Sequence, residues 1–153
     1  MKNKPVVWID SREKENSHVT EYFDSKPIDH FTSKLPYGDY MSLDNARVIV
    51  ERKCGILEMV STLGKDHERF KKELKEATKY GIHLIILIEE EGYFCIEDIK
   101  SWCNPYRKKN PRSMSGETAY KILNSYTQYY NVEIQFTCKG DAGQRILELL
   151  NIH

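Results

Sequence analysis

The sequence predicts an α/β domain, a central mixed β-sheet flanked by α-helices. Two observations carry this. His83-Leu84-Ile85-Ile86-Leu87-Ile88 is an apolar run bounded by charge, the pattern of a central strand buried on both faces. Around it, short strand-like segments alternate with stretches of helical period, the order from which layered sheets with helices on both sides are built. With 153 residues and neither an internal repeat nor an obvious linker, one domain over 1–153 accounts for the chain.

Pro5-Val6-Val7-Trp8-Ile9 reads as a buried strand ending at Asp10. A loop or irregular segment is expected next, then a short strand around Ile28 to Ser33. Leu35-Pro36-Tyr37-Gly38 is turn chemistry leading into paired strands, Asp39–Leu43 and Arg47–Glu51, joined through Asp44-Asn45-Ala46. Ile56 to Leu63 and Lys65 to Tyr80 read as helices. The second has Phe70, Leu74 and Ala77 as its core stripe and Gly81 as its stop. Leu57 is expected inside, with Ile56 and Val60. After the central strand come a short helix over Ile96 to Trp102 and a basic loop from Asn104 to Met114 with Arg107, Lys108, Lys109 and Arg112. A helix capped by Ser115 follows, with Ala119, Ile122, Leu123 and Tyr126 inward. Val132 to Phe136 is the last strand and Ala142 to Leu150 the last helix. The helical spacing of Tyr120, Tyr126, Tyr129 and Tyr130 assigns most of them to the core.

Lysine plus arginine count 23 and aspartate plus glutamate 23, so net charge is zero and a nucleic-acid role requires local clustering of basic groups. The four cysteines are far apart without C-x-x-C spacing, which suggests reduced thiols and neither a zinc site nor a disulfide framework. The short apolar stretch Val6 to Ile9 makes neither a leader nor a membrane span, so a soluble, cytoplasmic protein is expected.

The chemistry concentrates after Val48-Ile49-Val50, where three charges follow an apolar strand. Alternation puts Glu51 and Lys53 on one face and Arg52 on the other. A three-residue loop, or a bulge, sets Asp39 opposite Glu51. A two-residue Asp44-Asn45 turn sets it opposite Val50 and parts the carboxylates. In the first case two acids and a lysine converge, as a site for Mg²⁺ or Mn²⁺ acting on a phosphodiester requires. The plain alternative is a cross-strand salt-bridge cluster. Asp10 either caps the turn after its strand or faces the same site.

Asp39-x11-Glu51-Arg52-Lys53 matches the D…(D/E)xK pattern of restriction-endonuclease-like nucleases. Asp10-Ser11-Arg12-Glu13, Gly38-Asp39-Tyr40 and Val50-Glu51-Arg52-Lys53, in that order, resemble the XPF-type (ERCC4-domain) nucleases, and His67 to Leu74 looks like the following helix of small phage and bacterial members. The resemblance implies the restriction-endonuclease-like fold and a Mg²⁺- or Mn²⁺-dependent DNA endonuclease of flap, fork or junction structures in repair or recombination. Asp39, Glu51 and Asp10 would be metal ligands and Lys53 would position water. Arg12, Glu13 and Arg52 would support them, and Arg69, Lys108 and Lys109 would contact DNA backbone. It also implies pairing of nuclease-type domains, hence a homodimer. Leu57 stands where the family places a further acid, and Glu58, one residue on, is the candidate replacement. The tandem helix-hairpin-helix domain of eukaryotic and archaeal relatives is absent from this sequence. A catalytically inactive DNA-binding subunit and a nuclease acting on RNA are the competing readings.

Overall fold

The computed structural model describes residues 3–153; Met1 and Lys2, within the single-domain range expected above, lie outside it. Its elements are β1 (Val6–Asp10), α1 (Ser17–Asp24), β2 (Asp29–Ser33), β3 (Tyr40–Ser42), β4 (Asn45–Lys53), α2 (Ile56–Gly64), α3 (His67–Lys79), β5 (His83–Glu89), α4 (Gly116–Tyr129), β6 (Val132–Thr137) and α5 (Ala142–Leu149). Short 3₁₀ turns cover Ile96–Ser101, Pro105–Lys108 and Lys139–Asp141.

The strands form one six-stranded sheet in the order β2-β1-β3-β4-β5-β6. β1 and β2 are parallel, as are β4, β5 and β6, and β3 runs antiparallel to both β1 and β4. β5 shows the two-faced burial that its composition predicts. Leu84, Ile86 and Ile88 enter one core with residues of α2, α3 and α4; Ile85 and Leu87 enter a second with residues of α1 and α5. The parallel register ends β4 and β5 at the same edge, Lys53 beside Ile88, so the segments leaving both strands open onto one side.

Four local expectations need correction. The segment after Asp10 contains α1, which Val19 and Phe23 anchor at i, i+4; two apolar positions in eight residues are too few to stand out as a period. Ile96–Ser101 is a 3₁₀ turn, held partly by Asp98 Oδ2 accepting from the Phe94 and Cys95 amides, 2.8 and 3.2 Å. Leu57 is 36% exposed, because the buried face of α2 runs through Ile56, Met59, Val60 and Leu63 and turns position 57 outward. Tyr129 is exposed, whereas Tyr120, Tyr126 and Tyr130 pack on the core as spacing predicts.

Candidate active site

The placement of the site follows from the alternation of β4. Ile49 belongs to the α2–α4 core and Val50 to the α1–α5 core, so Glu51 and Lys53 share the first face and Arg52 takes the second. On β3, Tyr40 lies in the α1–α5 core and pairs with Val50, which sets Asp39 level with Glu51 on the α2–α4 side. This register is reached through a bulge. Ser42 pairs with Asn45, leaving only Leu43 and Asp44 in the turn, and the pairing shifts between Met41 and Ser42.

Gly38 makes the approach to Asp39 possible. Its φ is +65°, and a Cβ there would stand 2.3 Å from Ile49 Cγ2. Asp39 is then held three ways. Its amide donates to the Val50 carbonyl (2.9 Å), its carbonyl accepts from the Asp10 amide (2.8 Å), and its Oδ2 accepts from the Arg52 amide (2.7 Å).

Asp39, Glu51, Lys53, Arg12, Glu13 and Glu58 line one cleft of ≈ 350 Å³. A larger cavity, ≈ 520 Å³, lies at Tyr93, Phe94, Phe136 and Arg145 and contains none of the candidate residues. Lys53 Nζ donates to Thr62 Oγ1 of α2 at 3.0 Å. Glu58 Oε2 accepts from the Cys54 amide at 2.9 Å, which ties the start of α2 to the end of β4. Burial, then the nearby Glu51 and Glu13 charges, holds the Asp39 carboxyl well above the usual carboxylate range. Burial likewise raises Glu51; Lys53 opposes the shift, and Glu58 and Glu13 reinforce it. Glu51 Oε2 is buried and has no hydrogen-bond partner.

The supporting residues divide by face. Arg52 is buried and donates through Nε and Nη2 to Glu13 (2.9 and 3.1 Å) and through Nη1 to Glu89 (2.8 Å). It is a staple under the site, facing away from Asp39 and Glu51. Asp10 is drawn elsewhere. Its Oδ2 accepts from the Arg12 amide and Nε (3.1 and 2.9 Å), and its Oδ1 accepts from the Leu35 amide and Arg12 Nη2 (2.8 and 3.2 Å). Burial raises the Asp10 carboxyl, but Arg12 and these amides outweigh it, so the group sits below its ordinary value. Both oxygens are thus engaged away from the cleft. Arg69 is 74% exposed and pairs with Asp66 at 3.4 Å, while Lys108 and Lys109 lie on the exposed loop after β5.

Sequence reasoning missed Glu73. It is half-buried on α3, and burial, then the Glu51 charge, raises its carboxyl to about 7. The available signal was its position, three residues after Phe70 and one before Leu74, at the margin of the helix's buried face.

A cation is testable against these residues. Two carboxylates on one face are held near each other at an energetic cost, and one oxygen is buried without a donor. Oxygen donors of this kind suit a hard divalent ion. Among the described residues no three His, Cys, Asp or Glu side chains form a closed ligand cage. The residues therefore fit an ion that retains much of its water shell.

No curated protein matches the chain by sequence. The ERCC4 domain family matches residues 9–150. Among solved structures, XPF from Aeropyrum pernix superposes with a TM-score of 0.68 at 20% identity, over 95% of this chain and 63% of that one. The same archaeal protein in complex with DNA gives 0.67 at 20% identity, over 97% and 64%. The chain thus spans under two thirds of the length of either structure, and the likeness establishes the fold. The family match, the mixed sheet and the clustering of Asp39, Glu51 and Lys53 in one cleft agree: the chain belongs to the ERCC4-domain family, as an XPF-type member of the restriction-endonuclease-like fold.

Proposed function

We propose that this chain is a Mg²⁺- or Mn²⁺-dependent endonuclease that hydrolyses phosphodiester bonds of DNA at flaps, forks or junctions during repair or recombination. The observation that carries the reading is the buried, unpartnered Glu51 Oε2 beside Asp39, on the same face as Lys53. Removing one partner from a buried polar group costs about 1–3 kcal/mol, so an orphaned carboxylate oxygen is a sign of a missing ligand. The archaeal XPF structure that holds DNA supports DNA as the substrate class.

In this reading Asp39 and Glu51 hold the ion, which when bound polarises a phosphate oxygen and activates water. Lys53 exchanges its bond to Thr62 for the attacking water or the charge developing on the phosphate. Arg52 keeps the end of β4 rigid from beneath, and its amide fixes Asp39. Asp10 holds Arg12 at the rim of the cleft, making it a positioning residue. The basic residues after β5 leave the sheet at the edge where β4 ends and supply backbone contacts to DNA.

One observation favours a catalytically inactive DNA-binding subunit instead: Leu57 occupies the place of an expected acid and is exposed. Incubation of purified protein with labelled duplex, single-stranded, flap and fork DNA, in Mg²⁺, Mn²⁺ or EDTA, separates the two. Cleavage in either metal and none in EDTA is expected; binding without cleavage in any condition overturns the enzyme reading.

A further inference from the structure

Leu57 leaves the candidate site one acid short, and the fold brings another acid to it from a different helix. α3 is fastened to the loop that carries Asp39 by the Tyr37 hydroxyl, which donates to Glu76 Oε2 at 3.0 Å. Glu73 stands one turn before Glu76 on the same side of that helix. Phe70 and Leu74 bracket it and enter the core that also contains Ile49 and Met41, the neighbours of Glu51 and Asp39 in the sheet. Its carboxylate is within electrostatic reach of Glu51, Lys53 and Arg12, and makes no hydrogen bond or ion pair with any described residue. A half-buried carboxylate that faces a second buried one and lacks a cation of its own is unfavourable, unless a ligand between them offsets the repulsion.

We propose that Glu73 is the third acidic side chain of the cation site, taking from α3 the place that Leu57 leaves empty on α2. This rests on the reading of Asp39 and Glu51 as ion-holding residues. The buried, unpartnered Glu51 Oε2 supplies the independent sign that something positively charged belongs between these groups. No three acidic side chains close into a direct cage among the described residues, so Glu73 acts on water molecules around the ion. Hard divalent ions, Mg²⁺ above all, keep several waters, and acceptors that orient such waters change metal affinity typically by about 10- to 100-fold.

The test is Mn²⁺ binding by the whole chain, followed by electron paramagnetic resonance of the free ion, for wild type, Glu73→Gln, Glu73→Asp and Asp39→Asn. Thermal unfolding in chelator is measured in parallel. Glu73→Gln should weaken Mn²⁺ binding by about 10- to 100-fold, Glu73→Asp should recover most of it, and Asp39→Asn should lose it. Without metal, Glu73→Gln should melt at or above the wild-type temperature, since it removes a charge that repels Glu51; a merely structural role moves melting down and leaves affinity alone. Unchanged affinity in Glu73→Gln with loss in Asp39→Asn overturns the role of Glu73 and leaves the site reading standing. Unchanged affinity in Asp39→Asn overturns both.

Discussion

Gly38→Ala is the smallest change that tests how the fold delivers Asp39. Alanine at φ +65° costs about 1–2 kcal/mol in backbone strain, offset by about 0.4–1 kcal/mol from a less flexible unfolded chain. The new Cβ would also stand 2.3 Å from Ile49 Cγ2 and 3.3 Å from the Val50 carbonyl oxygen, in the middle of the β3–β4 pairing. Overpacking of this kind typically costs about 1–3 kcal/mol. The net expectation is a loss of about 2–4 kcal/mol in urea unfolding. Ile49→Ala removes the atom in the way, so Gly38→Ala made in that background should cost only the backbone part, about 1 kcal/mol. The cycle should show a coupling of about 1–3 kcal/mol. A loss below about 0.5 kcal/mol, or equal losses in both backgrounds, would refute the claim that contact with Ile49 reserves this position for glycine.

Arg52→Met should cost about 3–5 kcal/mol in guanidinium unfolding, because it strands the buried Glu13 and Glu89 carboxylates; adding Glu13→Gln and Glu89→Gln should recover much of it, and no recovery would show that packing, not charge, dominates. The carboxylate cluster sets the pH dependence of the metal-free protein. Glu73 is raised from 4.5 to about 7 in the folded state, so its contribution is fully present below pH 4.5 and lost as pH rises through about 7. Asp39 and Glu51, also raised, act in the same direction. Melting in chelator should therefore fall between pH 4.5 and about 7, with Glu73→Gln removing about 1–3 kcal/mol of the decline; identical profiles for the two proteins would contradict the crowding of Glu73 against Glu51. DNA affinity should weaken with salt despite zero net charge, and Lys108→Ala with Lys109→Ala should flatten the log–log slope by about one for each phosphate no longer neutralised. An unchanged slope would remove that loop from the interface.

What the sequence makes legible follows from short-range geometry. The period of two along Val48 to Lys53 puts Glu51 and Lys53 on one face and Arg52 on the other, and the structure keeps that division. Whether Asp39 joins them turns on a register that the sequence leaves open. It is settled by a bulge at Met41/Ser42, and a bulge depends on how β3 is held between β1 and β4. Asp10 illustrates a local effect hidden by chemical type: a carboxylate at a strand end suits a metal or a turn, and here the Arg12 and Leu35 amides and the Arg12 guanidinium occupy it. Leu57 fails as a core residue because four other apolar side chains of α2 already define the buried face. Glu73 lies beyond reach of any local reading. Its nearness to Glu51 is created by the packing of α3 across the sheet, and only its place between Phe70 and Leu74 hints at burial.

The central claim is that Asp39, Glu51 and Lys53 act together on a DNA phosphodiester. Single-turnover cleavage of a labelled fork in saturating Mn²⁺, wild type against Lys53→Ala, tests it most directly. The lysine is assigned to the attacking water and the developing charge, so its loss should lower the rate by about 100- to 1,000-fold and leave the melting temperature and most DNA binding in place. Equal cleavage by the two proteins would place the activity elsewhere and contradict the account.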